Sequence, residues 1–219
     1  LSAGWKGSEQ LTILSGGEGL TKELADKLIA KSKSLYNIYG PTETTIWSTL
    51  MKLEGDRMAT KMETGYEPIG KPINNVNIFL LDEHMQQVPI GVAGEIYVGG
   101  IGVAPKGYFK RDQLTAEKFV DNPFNDNNEK LYRTGDMARY LANGDLEYLN
   151  RADNQVKIRG FRIELGEIES AIAQHDNIKE NVVIIREDQE DNKILVAYLI
   201  LKEDNQFDRS AFKQFLRKK

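Results

Sequence analysis

The sequence predicts a multi-domain chain of mixed class: an α/β unit, then a β-rich section, then a small α+β unit. Three observations predict it. Two apolar strand candidates flank a helical stretch in the first forty residues, and short strand candidates punctuated by Gly, Pro and Asn fill about 60–150. After Asp153, an alternating segment gives way to helical spacing and then to two more strands.

The elements follow in order. Leu11-Thr12-Ile13-Leu14 reads as a short buried strand running into Ser15-Gly16-Gly17-Glu18-Gly19, and Thr21 is placed to cap a helix with Leu24, Ala25, Leu28 and Ile29 on one face. Leu35 to Tyr39 is a second strand stopped by Gly40-Pro41, so the opening is βαβ-like and sets loops beyond the carboxyl ends of parallel strands, where ligands commonly bind. Val76 to Leu81, Gly94 to Val98 and Leu146 to Leu149 suggest a mainly antiparallel section, and Asn143-Gly144 between two apolar runs is a hairpin signal. Thr115 is read as the cap of a helix through Phe119, and Asp121 to Lys130 as a surface loop. Beyond 153, Gln155 to Arg159 alternates, Gly166 to His175 has helical spacing, Asn181 to Ile185 and Lys193 to Ile200 read as strands, and Asp208 caps a last helix bearing Phe212, Phe215 and Leu216. The divisions expected are 1–59, 60–152 and 153–219, the last expected to be incomplete; Lys218-Lys219 carries no clear terminal cap or turn, an end compatible with truncation.

Composition narrows the chemistry. The 219 residues, 40% hydrophobic, suffice for one sizeable core or two smaller ones. Lys plus Arg is 29 against 33 Asp plus Glu, a net charge of -4, so no global basic excess favours nucleic acid or an anionic membrane. There is no cysteine, which removes disulfides and thiolate chemistry from the chain's own side chains, and the two histidines, His84 and His175, lie far apart in sequence. Neither an eighteen-residue apolar run nor a basic, signal-like start occurs, and the expectation is a soluble cytoplasmic protein.

Four local features could handle phosphate or nucleotide, each with a plainer alternative. Ser15 to Gly19 lets backbone approach a ligand beside a carboxylate, or is a tight strand-to-helix turn. In Asn37-Ile38-Tyr39-Gly40-Pro41-Thr42-Glu43-Thr44-Thr45, Tyr39 offers a flat face to a base, Thr42 a hydroxyl to phosphate and Glu43 an oxygen to magnesium, or the stretch is an ordinary loop. Asp136 in Tyr132-Arg133-Thr134-Gly135-Asp136 could accept from both ribose hydroxyls, or belong to an Asx turn. The cations at 151, 157, 159 and 162 could meet anions, or form a solvated strand face.

In order and wording these stretches, together with Gly94 to Gly100, Gly107-Tyr108 and the run from Arg151 to Glu167, resemble the adenylation domains of nonribosomal peptide synthetases, within the acyl-adenylate-forming enzymes that include acyl-coenzyme A synthetases and luciferases. The resemblance covers nearly the whole chain and implies the α/β and β-rich remainder of a large adenylation subdomain followed by a small α+β subdomain. It implies that Gly17, Glu18 and Asn37 border an adenine pocket and Tyr39 stacks on the base. Thr42 then meets phosphate, Glu43 holds Mg2+, Asp136 binds ribose, and Tyr148 and Arg151 adjoin the nucleotide. Asp153 matches the family's hinge and Gly160 its pantetheine path. Leu14, Gly16, Ile38, Ile46 and Trp47 align with pocket-lining positions of a glycine type, Trp47 acting as a rigid plug.

The implied activity is ATP-dependent activation of a small amino acid, glycine first and alanine second, as an aminoacyl adenylate, followed by transfer to phosphopantetheine on a peptidyl carrier protein. That carrier and a condensation domain are expected in the same polypeptide. The family's phosphate-binding loop, amino-group aspartate and late catalytic lysine have no counterpart in these 219 residues, so this segment alone is expected to be inactive and to leave apolar surface where the N-terminal part packs. An acyl-coenzyme A ligase and a non-catalytic nucleotide-binding fragment are the alternatives.

Overall fold

Strands β1 (Ser8–Gly16) and β2 (Ser32–Tyr39) run parallel, with Leu14 beside Tyr36 and Gly16 beside Ile38, and helix α1 (Lys22–Ile29) connects them. The start of α1 is fixed by Thr21, whose Oγ1 accepts from the Leu24 amide at 3.3 Å. The helix buries Ala25 and packs Leu28 and Ile29 against Leu20, Leu35 and Leu53. Each of these three buried leucines contributes roughly 1.5–3 kcal/mol relative to exposure. The structure is a computed structural model and describes residues 4–54, 62, 64–125, 129–153, 155–158, 161–189, 192–202 and 207–217.

The sequence reading passes over β3 (Thr49–Leu53), which pairs antiparallel with β2, and β4 (Lys71–Pro72), which pairs with β3. Thr49 to Leu53 is apolar at Leu50, Met51 and Leu53 but too short to show a clear period; β2 makes it a strand by pairing. Because paired residues point to the same side of a sheet, Leu14, Gly16, Tyr36, Ile38 and Leu50 share the face opposite α1. Leu14 and Leu50 are exposed there.

The second sheet comprises β5 (Val76–Leu81), β6 (Gly94–Gly100), β7 (Phe119–Asp121), β8 (Lys130–Tyr140) and β9 (Leu146–Arg151), all antiparallel, in the order β5-β6-β8-β7 with β9 also on β8. Alternation sends Ile78, Leu80, Ile96 and Val98 into one core with Tyr39, Ile69, Ala138 and Leu146. Leu81 and Tyr97 point the other way, toward Leu131. The Asn143-Gly144 signal marks the β8–β9 turn, closed by Leu141 N–H donating to the Asp145 carbonyl at 2.8 Å.

Two readings are corrected. Helix α2 spans Asp112–Lys118, not a stretch begun by Thr115. Thr115 sits inside it, and its hydroxyl accepts from the Tyr108 amide at 2.9 Å, so the capping oxygen serves the preceding turn instead. The segment Tyr132 to Asp136 lies within β8 rather than in an Asx turn, and it is bulged: Glu95 pairs with Met137 and Tyr97 with Arg133, leaving Ile96 opposite Thr134, Gly135 and Asp136.

Residues 1–153 form one compact unit and 154–219 a second. The second contains the hairpin β10 (Gln155–Ile158) and β11 (Phe161–Glu164), helix α3 (Leu165–Ala173), the antiparallel pair β12 (Ile178–Gln189) and β13 (Asn192–Leu201), and helix α4 (Arg209–Leu216). Its core gathers Ile172, Ile178, Val183 and Phe212. Asp208 caps α4 by accepting from the Ser210 and Ala211 amides at 2.7 and 3.2 Å. The chain is therefore mixed α/β and β-rich through the first unit and α+β in the small second one. Among the described residues no helix is long and apolar enough to cross a membrane.

Candidate functional site

The carboxyl ends of parallel β1 and β2 feed two adjacent loops. After β1, Gly17 and Glu18 are exposed. A side chain at Gly16 would place its first carbon 2.5 Å from the Ile38 carbonyl oxygen, so the close approach of these strand ends requires glycine.

After β2 the chain makes a single 3₁₀ turn, Thr42–Thr44, with Thr42 exposed and Glu43 buried. Thr45 and Ile46 follow with φ of 64° and 71°, a region that strains a β-branched residue. Backbone bonds over-determine them: Ile46 N–H reaches the Pro41 carbonyl at 3.2 Å, and Ser48 N–H the Tyr39 carbonyl at 2.8 Å. Ile46 and Trp47 are left on the surface, 63% and 47% exposed. The loop after β6 clasps the same turn. Tyr108 donates its hydroxyl to Glu43 Oε1 at 2.6 Å, Ala104 N–H donates to the Glu43 carbonyl at 2.8 Å, and Thr45 Oγ1 donates to the Gly102 carbonyl at 2.8 Å.

A second constellation links residues distant in sequence. Tyr39 donates its hydroxyl to Asp136 Oδ2 at 2.6 Å, and Arg151 Nη1 donates to Asp136 Oδ1 at 2.7 Å. Arg151 also grips Asp153 in bidentate fashion, Nε to Oδ1 at 2.7 Å and Nη2 to Oδ2 at 2.8 Å, and Nη2 reaches the Thr134 carbonyl at 3.0 Å. Lys118 Nζ lies 4.0 Å from Asp153. Gly135 sits beneath this grip at φ +78°, and an added Cβ would come 2.5 Å from Asp153 Oδ2.

The electrostatics follow from that geometry. Burial, then the charge of Asp136 and the bond to it, hold the Tyr39 hydroxyl well above the ordinary tyrosine value. Burial and Asp136 likewise push Tyr148 up. Burial works against the Arg151 charge, but the bond to Asp153 and the fields of Asp136 and Asp153 more than reverse it and leave its pKa raised.

The structure thus joins Tyr39, Asp136, Arg151 and Asp153 by direct bonds, with Tyr148 packed against the core that holds Tyr39. The Tyr39 ring is mostly buried in that core. Asn37 is buried and donates Nδ2 to the Pro68 and Glu67 carbonyls at 2.8 and 3.2 Å. Leu14, Gly16 and Ile38 lie on the open face of the first sheet, and Gly160 lies outside the described residues. Sequence reasoning gave no chemistry to Tyr108 or Glu95. Both stand in motifs that carry the resemblance, but their partners, Glu43 and the β8 bulge, are distant in sequence.

The donors suit a magnesium nucleotide. Glu43 offers a hard, buried carboxylate held by Tyr108, and among the described residues no three His, Cys, Asp or Glu side chains gather as ligands. One carboxylate supplemented by phosphate oxygens and water is a mode magnesium commonly adopts. Asp136, buried and fixed on both oxygens, is the kind of acceptor that two vicinal hydroxyls require.

Residues 6–109 match the AMP-binding enzyme family. The chain is 46% identical over 206 residues to a dimodular nonribosomal peptide synthase of Bacillus subtilis, covering 94% of this chain and 8% of that protein. It superposes on a nonribosomal peptide synthetase protein containing adenylation and PCP domains with a TM-score of 0.76 at 32% identity, covering 91% of this chain and 39% of the other. On a four-domain nonribosomal peptide synthetase solved in holo form with AMP and glycine, the TM-score is 0.62 at 40% identity, covering 99% of this chain and 16% of the other. The chain therefore spans a small part of the proteins it matches. With Thr42 and Glu43 in the turn beyond the carboxyl end of a parallel strand, a bulged strand carrying Asp136, and these relatives across nearly its whole length, the chain belongs to the adenylation domains of nonribosomal peptide synthetases, within the AMP-binding enzymes.

Proposed function

We propose that this chain supplies the adenine, ribose and magnesium side of a domain that activates a small amino acid with ATP. The observation that carries the reading is the bonded set Tyr39–Asp136–Arg151, which fixes a buried carboxylate beside the Thr42–Glu43 turn's parent strand. In the proposed reaction the amino acid's carboxylate oxygen attacks the α-phosphorus of ATP, and the bond to the departing pyrophosphate breaks. Asp136 orients the ribose, Thr42 donates to phosphate, and Glu43 is the residue that would hold magnesium, which when bound neutralises phosphate charge. The chemistry is one of positioning and electrostatics and needs no histidine or cysteine.

The division of labour is part of the proposal. Residues 1–59 and 60–152 serve nucleotide and substrate, and 153–219 serve as the mobile part, with Asp153 as hinge and the Gly160 region as the pantetheine path. Delivery of the product to phosphopantetheine on a carrier protein, with a condensation domain in the same polypeptide, draws its support from the relatives' multidomain makeup.

Glycine is the proposed substrate. Apolar Leu14, Ile38 and Ile46 and the bulky Trp47 offer no charge to a polar side chain, and the four-domain relative was solved with glycine bound. One methylene in an apolar pocket is worth about 1–3 kcal/mol, so alanine should be the nearest competitor. Specificity constants for glycine, alanine, serine and bulkier amino acids, measured on the complete domain, decide it. Glycine should lead, and Trp47→Ala should improve larger substrates relative to glycine. A wild-type preference for a branched or aromatic substrate would overturn the assignment, as would a ranking unmoved by Trp47→Ala.

A further inference from the structure

The bulge in β8 creates a problem that Glu95 solves. With Thr134, Gly135 and Asp136 opposite Ile96 alone, the regular ladder between β6 and β8 is interrupted, and backbone donors in the bulge need other acceptors. Thr134 Oγ1 donates to the Ile96 carbonyl at 2.8 Å and accepts from the Asp136 amide at 3.0 Å. The Gly135 amide, buried, donates to Glu95 Oε1 at 3.0 Å. Glu95 is itself buried, and its charge is matched by Arg133 Nε, 3.0 Å from both carboxylate oxygens. A buried carboxylate is thus committed to the amide immediately before Asp136, at the glycine whose φ of +78° turns the chain.

We infer that Glu95 is a positioning residue for nucleotide recognition: by accepting from the Gly135 amide it fixes the bulge and so the aim of the Asp136 carboxylate at the ribose. This rests on the reading of Asp136 as the ribose acceptor. Arg133 does for Glu95 what Tyr39 and Arg151 do for Asp136, holding a carboxylate in one orientation. The two carboxylates have different partners: Glu95 holds the Gly135 backbone, whereas Asp136, held by Tyr39 and Arg151, is the one proposed to meet the ribose. Removing Glu95 leaves the Gly135 amide without this acceptor and Arg133 without this carboxylate, and the backbone just before Asp136 loses one of its constraints, leaving the Thr134 bond to the Asp136 amide.

The test compares ATP with 2′-deoxy-ATP and 3′-deoxy-ATP as substrates for amino-acid-dependent pyrophosphate exchange, using the complete adenylation domain carrying Glu95→Gln, Glu95→Ala or Asp136→Asn. Asp136→Asn should collapse the preference for ATP over the deoxy analogues. Glu95→Ala should raise the KM for ATP about tenfold, with a smaller change in kcat, and lose most of that preference. Glu95→Gln, which keeps the shape and one acceptor oxygen, should fall between Glu95→Ala and wild type, and it serves alone if the alanine variant does not fold. A residue that only stabilises the sheet would lower the denaturation midpoint without moving the ratio of ATP to deoxy-ATP. If Asp136→Asn loses the preference while the folded Glu95 variants keep it in full, the inference is wrong. If Asp136→Asn keeps the preference, the ribose reading itself is wrong, and the inference falls with it.

Discussion

Arg151→Met should be among the most damaging single changes in the first unit, because of what it leaves behind. Arg151 is 11% exposed and Asp136 6%, so their 2.7 Å pair is little screened by water. Removing one member of such a pair costs about 3–5 kcal/mol, since the other charge stays buried. The two bonds to Asp153 add little, because that carboxylate is 36% exposed and exposed pairs contribute about 0–1 kcal/mol. The expected loss is therefore about 3–5 kcal/mol, nearly all from Asp136, whose remaining bond in this group comes from Tyr39.

Denaturant titration of the complete domain reads this as a fall in midpoint at unchanged slope. The decisive comparison is Arg151→Met with Asp136→Asn in one protein. Without the buried charge the double variant should be more stable than Arg151→Met alone, a coupling that a double-mutant cycle measures directly. Arg151→Lys should recover part of the loss, because one ammonium restores the charge but cannot reach Asp136, Asp153 and Thr134 together. A loss below about 1 kcal/mol in Arg151→Met, or strict additivity in the double variant, would refute the reasoning.

Thr42→Ala and Glu43→Gln should lower amino-acid-dependent pyrophosphate exchange by about 10–1,000-fold while leaving the denaturation midpoint close to wild type for exposed Thr42; unchanged exchange would remove both from the proposed roles. Alkaline stability follows from Tyr39. Its folded pKa lies above the unfolded value of 10.0, so its contribution is complete below about pH 10 and is lost as pH rises from there through the folded pKa. Tyr39→Phe should accordingly flatten the fall in stability above pH 10 by up to about 1.4 kcal/mol per pH unit, and identical slopes would show that the Tyr39 proton is not held by the fold.

Much of the fold was legible because its signals are local. Thr21 and Asp208 announce helices through a cap that needs only the next turn of chain, and Asn143-Gly144 announces a hairpin through two residues. Thr115 misled for the same reason. A threonine opening a short stretch that can be helical looks like a cap, yet its hydroxyl is taken by the Tyr108 amide seven residues earlier, and the helix begins instead at Asp112. Strand β3 is the converse case, apolar but too short to show a period by itself and made regular by β2.

The site divides along the same line. The residue types proposed to meet a ligand advertise themselves, since a Tyr, Thr, Glu and Asp beside glycines are unusual enough to be singled out. The residues that hold them are ordinary until the chain folds. Tyr108 reaches Glu43 across 65 positions, Tyr39 reaches Asp136 across 97, and Glu95 reaches the Gly135 amide across 40. The bulge was hidden for a deeper reason: a glycine and an aspartate in succession fit an Asx turn as well as a strand, and only the register between Glu95 and Met137 on one side and Tyr97 and Arg133 on the other distinguishes them. In the turn reading Asp136 would bond to its own backbone. In the bulge its amide and carboxylate have separate partners, Thr134 for the first and Tyr39 with Arg151 for the second, which leaves the carboxylate's aim under tertiary control.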